Sequence, residues 1–488
     1  MNRKVVIDPV TRVEGHGKVT LLLNEQNQVT QARLHIVEFR GFEKFIQGRP
    51  YWELPLIVQR LCGICPVSHH LAAAKAIDQI VGVSRLSPGA LALRRLMHFG
   101  QVLQSHALHF FHLASPDLLF GFESDVAKRN IVAVIEAHPD LAIKGVKIRK
   151  FGQQVIEAIS GKRIHGIAAI PGGMNACLSK PAVTALQSAT PDIIQWCQET
   201  VQLTQLLYES NAPFHNEFGY IESPFLSLVD AKGNLELYDG AIRVQDSRVR
   251  NKRDSILVDQ FSCEQYHQLI SEQVKSWSYM KFPFLRSIGP ETGWYRVGPL
   301  ARINTCTQIS TPLAEQARKQ FFSILPQPAQ SPLAFHWARM IEALHCAESI
   351  QQLLQNPDLQ SQDLIREGNR QEEGIGVIEA PRGTLFHHYK VNEDDQVTMA
   401  NLIVSTTSNN QAMNDTIAKV AQQHLDGKAL TPELLNLIEV AIRAYDPCLS
   451  CATHAVGKMP LRVETRDHKD TLLHSISRHS NGDVHYDN

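Results

Sequence analysis

Two Cys-x-x-Cys pairs stand near opposite ends of the chain, Cys62-Gly63-Ile64-Cys65 and Cys448-Leu449-Ser450-Cys451, 386 positions apart. Arg60 precedes the first pair and Asp446-Pro447 the second, and a histidine trails each, His69 and His454. If both pairs serve one metal, the fold must bring its two ends together. Four thiolates select zinc, nickel, copper(I) or iron over magnesium or calcium. Structural zinc needs only the four sulfurs, and a redox dithiol is the other plain reading. Gly63 permits a turn and Pro66 suits a helix start, so Cys65 is expected at a helix N-terminus, where thiol acidity rises. Cys448 and Cys451 follow a helix that Pro447 ends.

The 488 residues are 43% apolar and carry 48 basic and 49 acidic side chains, a net charge of -1. This allows one large domain or about three average ones. It offers no basic surface for nucleic acid or an anionic membrane. No apolar run reaches the ~18 residues of a membrane span, and the N-terminus lacks the apolar core of a secretory signal. A cytoplasmic protein with reduced thiols is expected. Cys177, Cys197, Cys263, Cys306 and Cys346 read as small buried hydrophobes.

Lys18–Leu23 and Val29–Val37 flank a polar turn and read as a hairpin. Phe225–Val229 and Leu235–Tyr238, around Lys232-Gly233-Asn234, read as a second. Long helices are expected from Ser87-Pro88 to Leu113, Pro181 to Tyr208, Ser331-Pro332 to Leu354, and Thr431-Pro432 to Asp446. Shorter helical stretches, Glu53–Leu61 and Ser68–Val81, flank the first cysteine pair. Residues 360–373 read as an exposed loop, and 464–488, polar and histidine-bearing, as a tail. The expected fold is α+β and mainly α, a large helix-bundle core with peripheral β-hairpins.

Arg60-Leu61-Cys62-Gly63-Ile64-Cys65-Pro66-Val67-Ser68-His69 and Asp446-Pro447-Cys448-Leu449-Ser450-Cys451-Ala452-Thr453-His454 together resemble the signature of the nickel–iron hydrogenase large subunit. Arg12-Val13-Glu14-Gly15-His16, Arg40-Gly41-Phe42-Glu43 and Ala380-Pro381-Arg382-Gly383 extend the resemblance across residues 8–460. The wording is most similar to large subunits of soluble, bidirectional NAD-reducing hydrogenases.

The resemblance implies nickel held by Cys62, Cys65, Cys448 and Cys451. Cys65 and Cys451 would bridge to an iron carrying cyanide and carbon monoxide. It implies that His69 donates a hydrogen bond to Cys65, and that Arg382 stands over the metals against a cyanide. Thr406 would make a second cyanide contact, although Ser405 replaces a proline common in relatives. Asp446 would pair near Arg382. Glu14 resembles the proton-gate glutamate, and a buried carboxyl with a raised pKa can relay protons at neutral pH. Cys448 joins Glu14 and Arg382 as the catalytic set. Ser105, near where some relatives carry an aspartate, inherits no role, and His70 reads as a satisfied core histidine. Glu43, the Leu402 backbone carbonyl and His454 would hold a structural Mg²⁺.

The chain shows no further cysteine pattern for an iron–sulfur cluster and no Gly-x-Gly-x-x-Gly loop. Electrons from H₂ ⇌ 2H⁺ + 2e⁻ would therefore leave through an iron–sulfur small subunit to a diaphorase carrying flavin and NAD. Competing readings are a deazaflavin-reducing or H₂-sensing hydrogenase, and a non-enzymatic zinc-stapled scaffold. Residues 1–454 are expected to form one domain. Residues 455–488 are expected to be a maturation peptide, removed by an endopeptidase after metal-insertion factors have loaded nickel.

Overall fold

The computed structural model describes residues 3–453, apart from 27, 247, 250–254 and 429–430, together with strands at 461–466, 472–478 and 484–487. Strands β1 (Arg3–Ile7), β2 (Gly17–Leu23) and β3 (Val29–Ile36) form an antiparallel meander. The Asn24 side chain closes the β2–β3 turn by accepting from the N–H groups of Gln26 and Gln28.

The expected helices are present, and others join them. The main ones are α1 (Pro66–Ile80), α2 (Pro88–Leu108), α3 (Pro139–Ser160), α4 (Lys180–Glu209), α5 (Pro299–Thr305), α6 (Ala334–Leu353), α7 (Asn410–His424) and α8 (Pro432–Ala444). Of these, α3, α5 and α7 go beyond the sequence-based expectation. Ser87, Ser179 and Thr431 cap α2, α4 and α8 by accepting from the N–H three residues on. A proline in the first turn of each leaves no donor wasted. Helix α2 stops at Leu108 rather than Leu113 and passes into a π turn, His109–Ala114. Pro116 has no N–H to offer the preceding turn, and the Ser115 hydroxyl donates to the Phe111 carbonyl at 2.7 Å, so the ladder loosens there.

The second hairpin pairs differently from expectation. Strand β4 (Pro224–Val229) pairs with β5 (Ala241–Asp246), and β5 with β6 (Ile256–Phe261). Residues 235–238 lie in the connection. Asp230 there accepts from the N–H groups of Lys232 and Asn234, and Glu236 from those of Tyr238 and Asp239. These local bonds take up backbone donors that a strand would have needed.

Nor is the β structure only peripheral. Strands β7 (Glu373–Ala380), β8 (Gly383–Val391) and β9 (Val397–Ile403) form an antiparallel sheet, with β7 and β8 buried along nearly their whole length. A strand covered on both faces shows no polar alternation, so its period is hidden in the sequence. The sheet lies against α1. A Cβ on Gly376 would come within 1.9 Å of the Ala72 carbonyl oxygen, an approach only glycine permits. Gly376 is paired with His387 across the sheet, so this contact brings β8 beside the start of α1.

Residues 360–373 are largely exposed, as expected, but Leu364 is buried and its carbonyl accepts from the Met174 N–H. Strands β10 (Leu461–Arg466), β11 (Leu472–Arg478) and β12 (Val484–Asp487), within the segment expected to be a maturation peptide, pair with one another as an antiparallel meander. Among the described residues no helix is long and apolar enough to cross a membrane.

Candidate metal centre

The two ends of the chain are stitched together by ion pairs and backbone bonds. Arg12 donates to Asp117 at 2.6 Å, and Arg443 on α8 donates to the other oxygen of the same carboxylate at 2.8 Å. Burial would raise Asp117, but the two guanidinium groups hold it below its ordinary value. Thr11 and Arg443 share Glu439. With α8 fixed in this way, the strand-like segment at Glu14 bridges Cys448, and the Leu449 N–H donates to the Glu14 carbonyl at 3.0 Å. A side chain on Gly15 would come within 2.7 Å of the Ser450 backbone nitrogen. Further on, Gly41 N–H donates to the Thr453 carbonyl.

This closure gathers the four predicted thiols. The sulfurs of Cys62, Cys65, Cys448 and Cys451 all lie within 4.8 Å of one another and all four residues are buried. Cys62 Sγ is 3.3 Å from Cys448 Sγ, and Cys448 Sγ is 2.6 Å from Cys451 Sγ. The N–H groups of Ile64 and Cys65 point at Cys62 Sγ. Hydrogen bonds from the neighbouring thiols pull the Cys65 thiol well below its ordinary range, whereas burial pushes Cys448 and Cys451 well above it. Four thiolates so close together require a cation to be stable as a set. Gln101 and Gln104 on α2 fix the first cysteine loop by donating to the Ile64 carbonyl at 2.9 and 2.7 Å.

A small cavity opens beside Cys65 and Cys448, walled by His69, Ala380, Pro381, Arg382, Leu385, Val404, Ser405 and Thr406. Arg382 occupies the β7–β8 turn. Its Nε donates to the Asp446 carbonyl and its Nη2 to the Asp446 carboxylate, while buried Nη1 has no protein partner among the described residues. Asp446 has a left-handed backbone, φ 52°, which aspartate tolerates better than most residues. The turn ends α8 and throws Cys448 back towards α1. The turn carrying Arg382 is itself framed by α5 and α6. Arg302 donates to the carbonyls of Ala380 and Pro381 and to the carboxylates of Glu342 and Glu379. Glu342 also meets His106, at 2.8 Å.

Thr406 Oγ1 accepts from the Cys448 N–H at 2.9 Å, leaving its own hydrogen for the cavity. The Ser405 hydroxyl donates to the Gly383 carbonyl. The donor set therefore suits a soft metal carrying small polar ligands: four sulfurs on one side, and an unspent guanidinium N–H with a hydroxyl on the other.

Glu14 differs from expectation in being only partly buried. Its carboxylate accepts from the Ser450 N–H at 3.1 Å. The Ser450 hydroxyl donates to Glu38, and Glu38 meets exposed His16 at 3.1 Å. Glu43 accepts from Lys281 and from the Leu402 N–H. Leu402 is thus in place beside Glu43 but contacts it through its N–H. Burial pushes Glu43 upward, against the pull of Lys281. The Lys281 ammonium also meets Glu272 and Asn401 oxygens, so this cation-binding corner already holds a cation. His454 lies outside the described residues.

His69 approaches Cys65 as expected and adds to the lowering of its thiol. Its other ring nitrogen, Nδ1, is 3.1 Å from His387 Nε2, and His387 Nδ1 is 2.5 Å from the Tyr389 hydroxyl. Sequence reasoning missed His387, Tyr389, Glu38, Arg302 and Glu342. The His387-His388-Tyr389 run, three polar-tipped residues inside an otherwise apolar segment, was the available signal. His70 is a satisfied core histidine between the Pro55 carbonyl and the Ala169 N–H, and burial lowers it to about 4. Cys197, Cys306 and Cys346 are buried as expected, but Cys177 and Cys263 are only partly so.

Comparison with known proteins shows the family. A HoxL-like pattern matches residues 4–39, and the nickel-dependent hydrogenase family matches residues 40–128 and 242–454. The chain is 44% identical to the NAD-reducing hydrogenase HoxS subunit beta of Cupriavidus necator, over 98% of this chain and 100% of that one. It is 39% identical to one subunit of the F420-non-reducing hydrogenase of Methanothermobacter marburgensis, over 96% of this chain and 98% of that one. A crystal structure of an NAD⁺-reducing [NiFe]-hydrogenase in the H₂-reduced state matches with a TM-score of 0.90 and 55% identity, covering 93% of this chain and 99% of that chain. The Ni-Fe-Se hydrogenase of D. vulgaris Hildenborough, 23% identical, shares the fold with a TM-score of 0.75 over 93% of this chain and 100% of that one. The chain belongs to the nickel-dependent hydrogenase family.

Proposed function

We propose that this chain is the catalytic large subunit of an NAD-coupled nickel–iron hydrogenase, carrying out H₂ ⇌ 2H⁺ + 2e⁻. The observation that carries the reading is the buried four-sulfur cluster facing Arg382 and Asp446, in a chain matched end to end by a subunit named NAD-reducing. A nickel–iron centre bound by Cys62, Cys65, Cys448 and Cys451, with cyanide and carbon monoxide on iron, supplies the chemistry that splits H₂.

The protein's own groups have separate tasks. Arg382 presents a fixed positive charge and a free Nη1 donor to the cavity, which suits anionic diatomic ligands and a polarising H–H bond. Thr406 offers a hydroxyl from the same wall. Glu14, at the Cys448 end, takes a proton outward; Ser450 contacts both Glu14 and Glu38, and Glu38 meets exposed His16. Magnesium at Glu43 would have to join or displace Lys281.

Electrons leave through a partner, in this reading an iron–sulfur small subunit feeding a flavin- and NAD-binding diaphorase. Supporting it, exposed apolar side chains surround the first cysteine loop. Phe39 is 47% exposed beside Arg40, which donates to the Leu61 carbonyl. Ile164 and Ile167 are 45% and 47% exposed about His165, which lies 3.1 Å from the Cys62 carbonyl. A cytoplasmic location fits the reduced thiols.

The decisive assay follows H₂-dependent reduction in the purified complex. NAD⁺ reduction is the expected result. H₂-driven reduction of a deazaflavin but not NAD⁺ would replace the NAD reading, and a zinc-loaded complex inert to H₂ would leave only the scaffold.

A further inference from the structure

Three buried side chains, His69, His387 and Tyr389, each less than 2% exposed, contact one another in succession. Two contacts join them, His69 Nδ1 to His387 Nε2 at 3.1 Å and His387 Nδ1 to the Tyr389 hydroxyl at 2.5 Å. A neutral imidazole donates from one nitrogen and accepts at the other, so the direction of one bond sets the direction of the next. Taking Cys65 as a metal ligand, as in the function proposed above, we infer that Tyr389 and His387 act as positioning residues that hold His69 as its Nε2–H tautomer, with that N–H directed at Cys65 Sγ.

The polarity follows from the far end of the chain. The Tyr389 hydroxyl is buried and meets no other acceptor among the described residues. Were His387 to donate to it from Nδ1, the phenolic hydrogen would be left without a partner in the core, a costly arrangement. Burial holds the phenol well above its ordinary pKa, so it keeps its proton. Tyr389 therefore donates to His387 Nδ1. His387 then carries its hydrogen on Nε2 and donates to His69 Nδ1. His69 in turn carries its hydrogen on Nε2, the nitrogen left to face Cys65. Cys65 and His69 share the cavity wall, and they lie four residues apart at the start of α1, one helical turn. A hydrogen bond fixed on one thiolate withdraws electron density from that sulfur and so from a metal bound to it.

Neutron diffraction on deuterium-exchanged crystals of the complex reads this directly. Deuterium on Nε2 of both His69 and His387, with both Nδ1 atoms bare, is the expected map. Deuterium on His69 Nδ1 would overturn the proposal. The map reports hydrogens whether or not nickel is present, so metal analysis of the same crystals separates failure of this proposal from failure of the metal assignment. As a second measurement, Tyr389→Phe should retain nickel yet move the carbon monoxide infrared band to lower wavenumber, because His69 no longer has a fixed direction. A band unmoved at full nickel content would also overturn it.

Discussion

Arg382 grips Asp446 twice, through Nε on the backbone carbonyl at 2.6 Å and through Nη2 on the carboxylate at 3.0 Å. One residue lies on a buried strand turn and the other on the break that presents the second cysteine pair. Their contact therefore fixes both the guanidinium over the cavity and the approach of Cys448. Arg382→Lys keeps the charge but has neither the fork nor the free Nη1 donor. H₂ turnover should fall by about 10²–10³-fold while nickel content stays the same. Unchanged kinetics would remove Arg382 from the reaction.

Glu14→Gln tests the proton exit. The amide can still accept from the Ser450 N–H, so the loop at Cys448 should hold its shape. It cannot carry a proton at neutral pH. H/D exchange catalysed by the complex should drop by about 10²-fold or more with the metals in place. Exchange at the wild-type rate would mean that protons leave by another path.

The support beneath Arg382 is predicted to be sensitive to pH. Burial alone would raise Glu342, but Arg302 and His106 hold it at about 2, below its ordinary 4.5. Glu379 shares the same guanidinium yet is raised by burial; Glu342 is the partner that changes in the variant. Glu342→Gln leaves Arg302 short of one buried charge and should cost about 3–5 kcal/mol of stability at pH 7. Because the folded value lies below the unfolded one, the Glu342 contribution is complete above pH 4.5 and is lost as pH falls through about 2. The amide does not titrate, so denaturation curves of the two proteins should converge on acidification through that window. A gap that stays constant would show that the charge of Glu342 is not what stabilises the turn.

Much of this was legible in the sequence because short-range chemistry carried it. Ser87 and Thr431, each before a first-turn proline, announced their helices, and the two cysteine pairs announced a cluster that the fold assembles. Strands β7 and β8 were hidden because both their faces are buried. The partner of β4 was misplaced because Asp230 and Glu236 satisfy backbone groups locally, which pattern alone does not reveal. His387 and Tyr389 could not be tied to His69 without knowing that Gly376 lets β7 sit directly on α1. The burial expected of Glu14 came from the family resemblance, and in this chain Glu14 lies nearer the surface.

The segment 455–488 should be absent from the active enzyme. A chain covering 99% of the solved NAD⁺-reducing relative uses only 93% of this sequence, whereas the Cupriavidus necator subunit is matched over 100% of its length by 98% of it. The 7% left uncovered by the solved relative is the share that residues 455–488 make up of this chain. The intact mass of the large subunit in active complex should correspond to a chain ending at His454. Full activity with residues 455–488 still attached would end the maturation proposal.

The most direct test of the central claim is metal analysis of the purified complex combined with its infrared spectrum, for wild type and Cys65→Ser. Four soft sulfurs facing a guanidinium donor predict about one nickel and one iron per wild-type chain, with bands from carbon monoxide and cyanide, and loss of nickel from the variant. One zinc per chain with no such bands, or a Cys65→Ser protein with unchanged nickel, would contradict it.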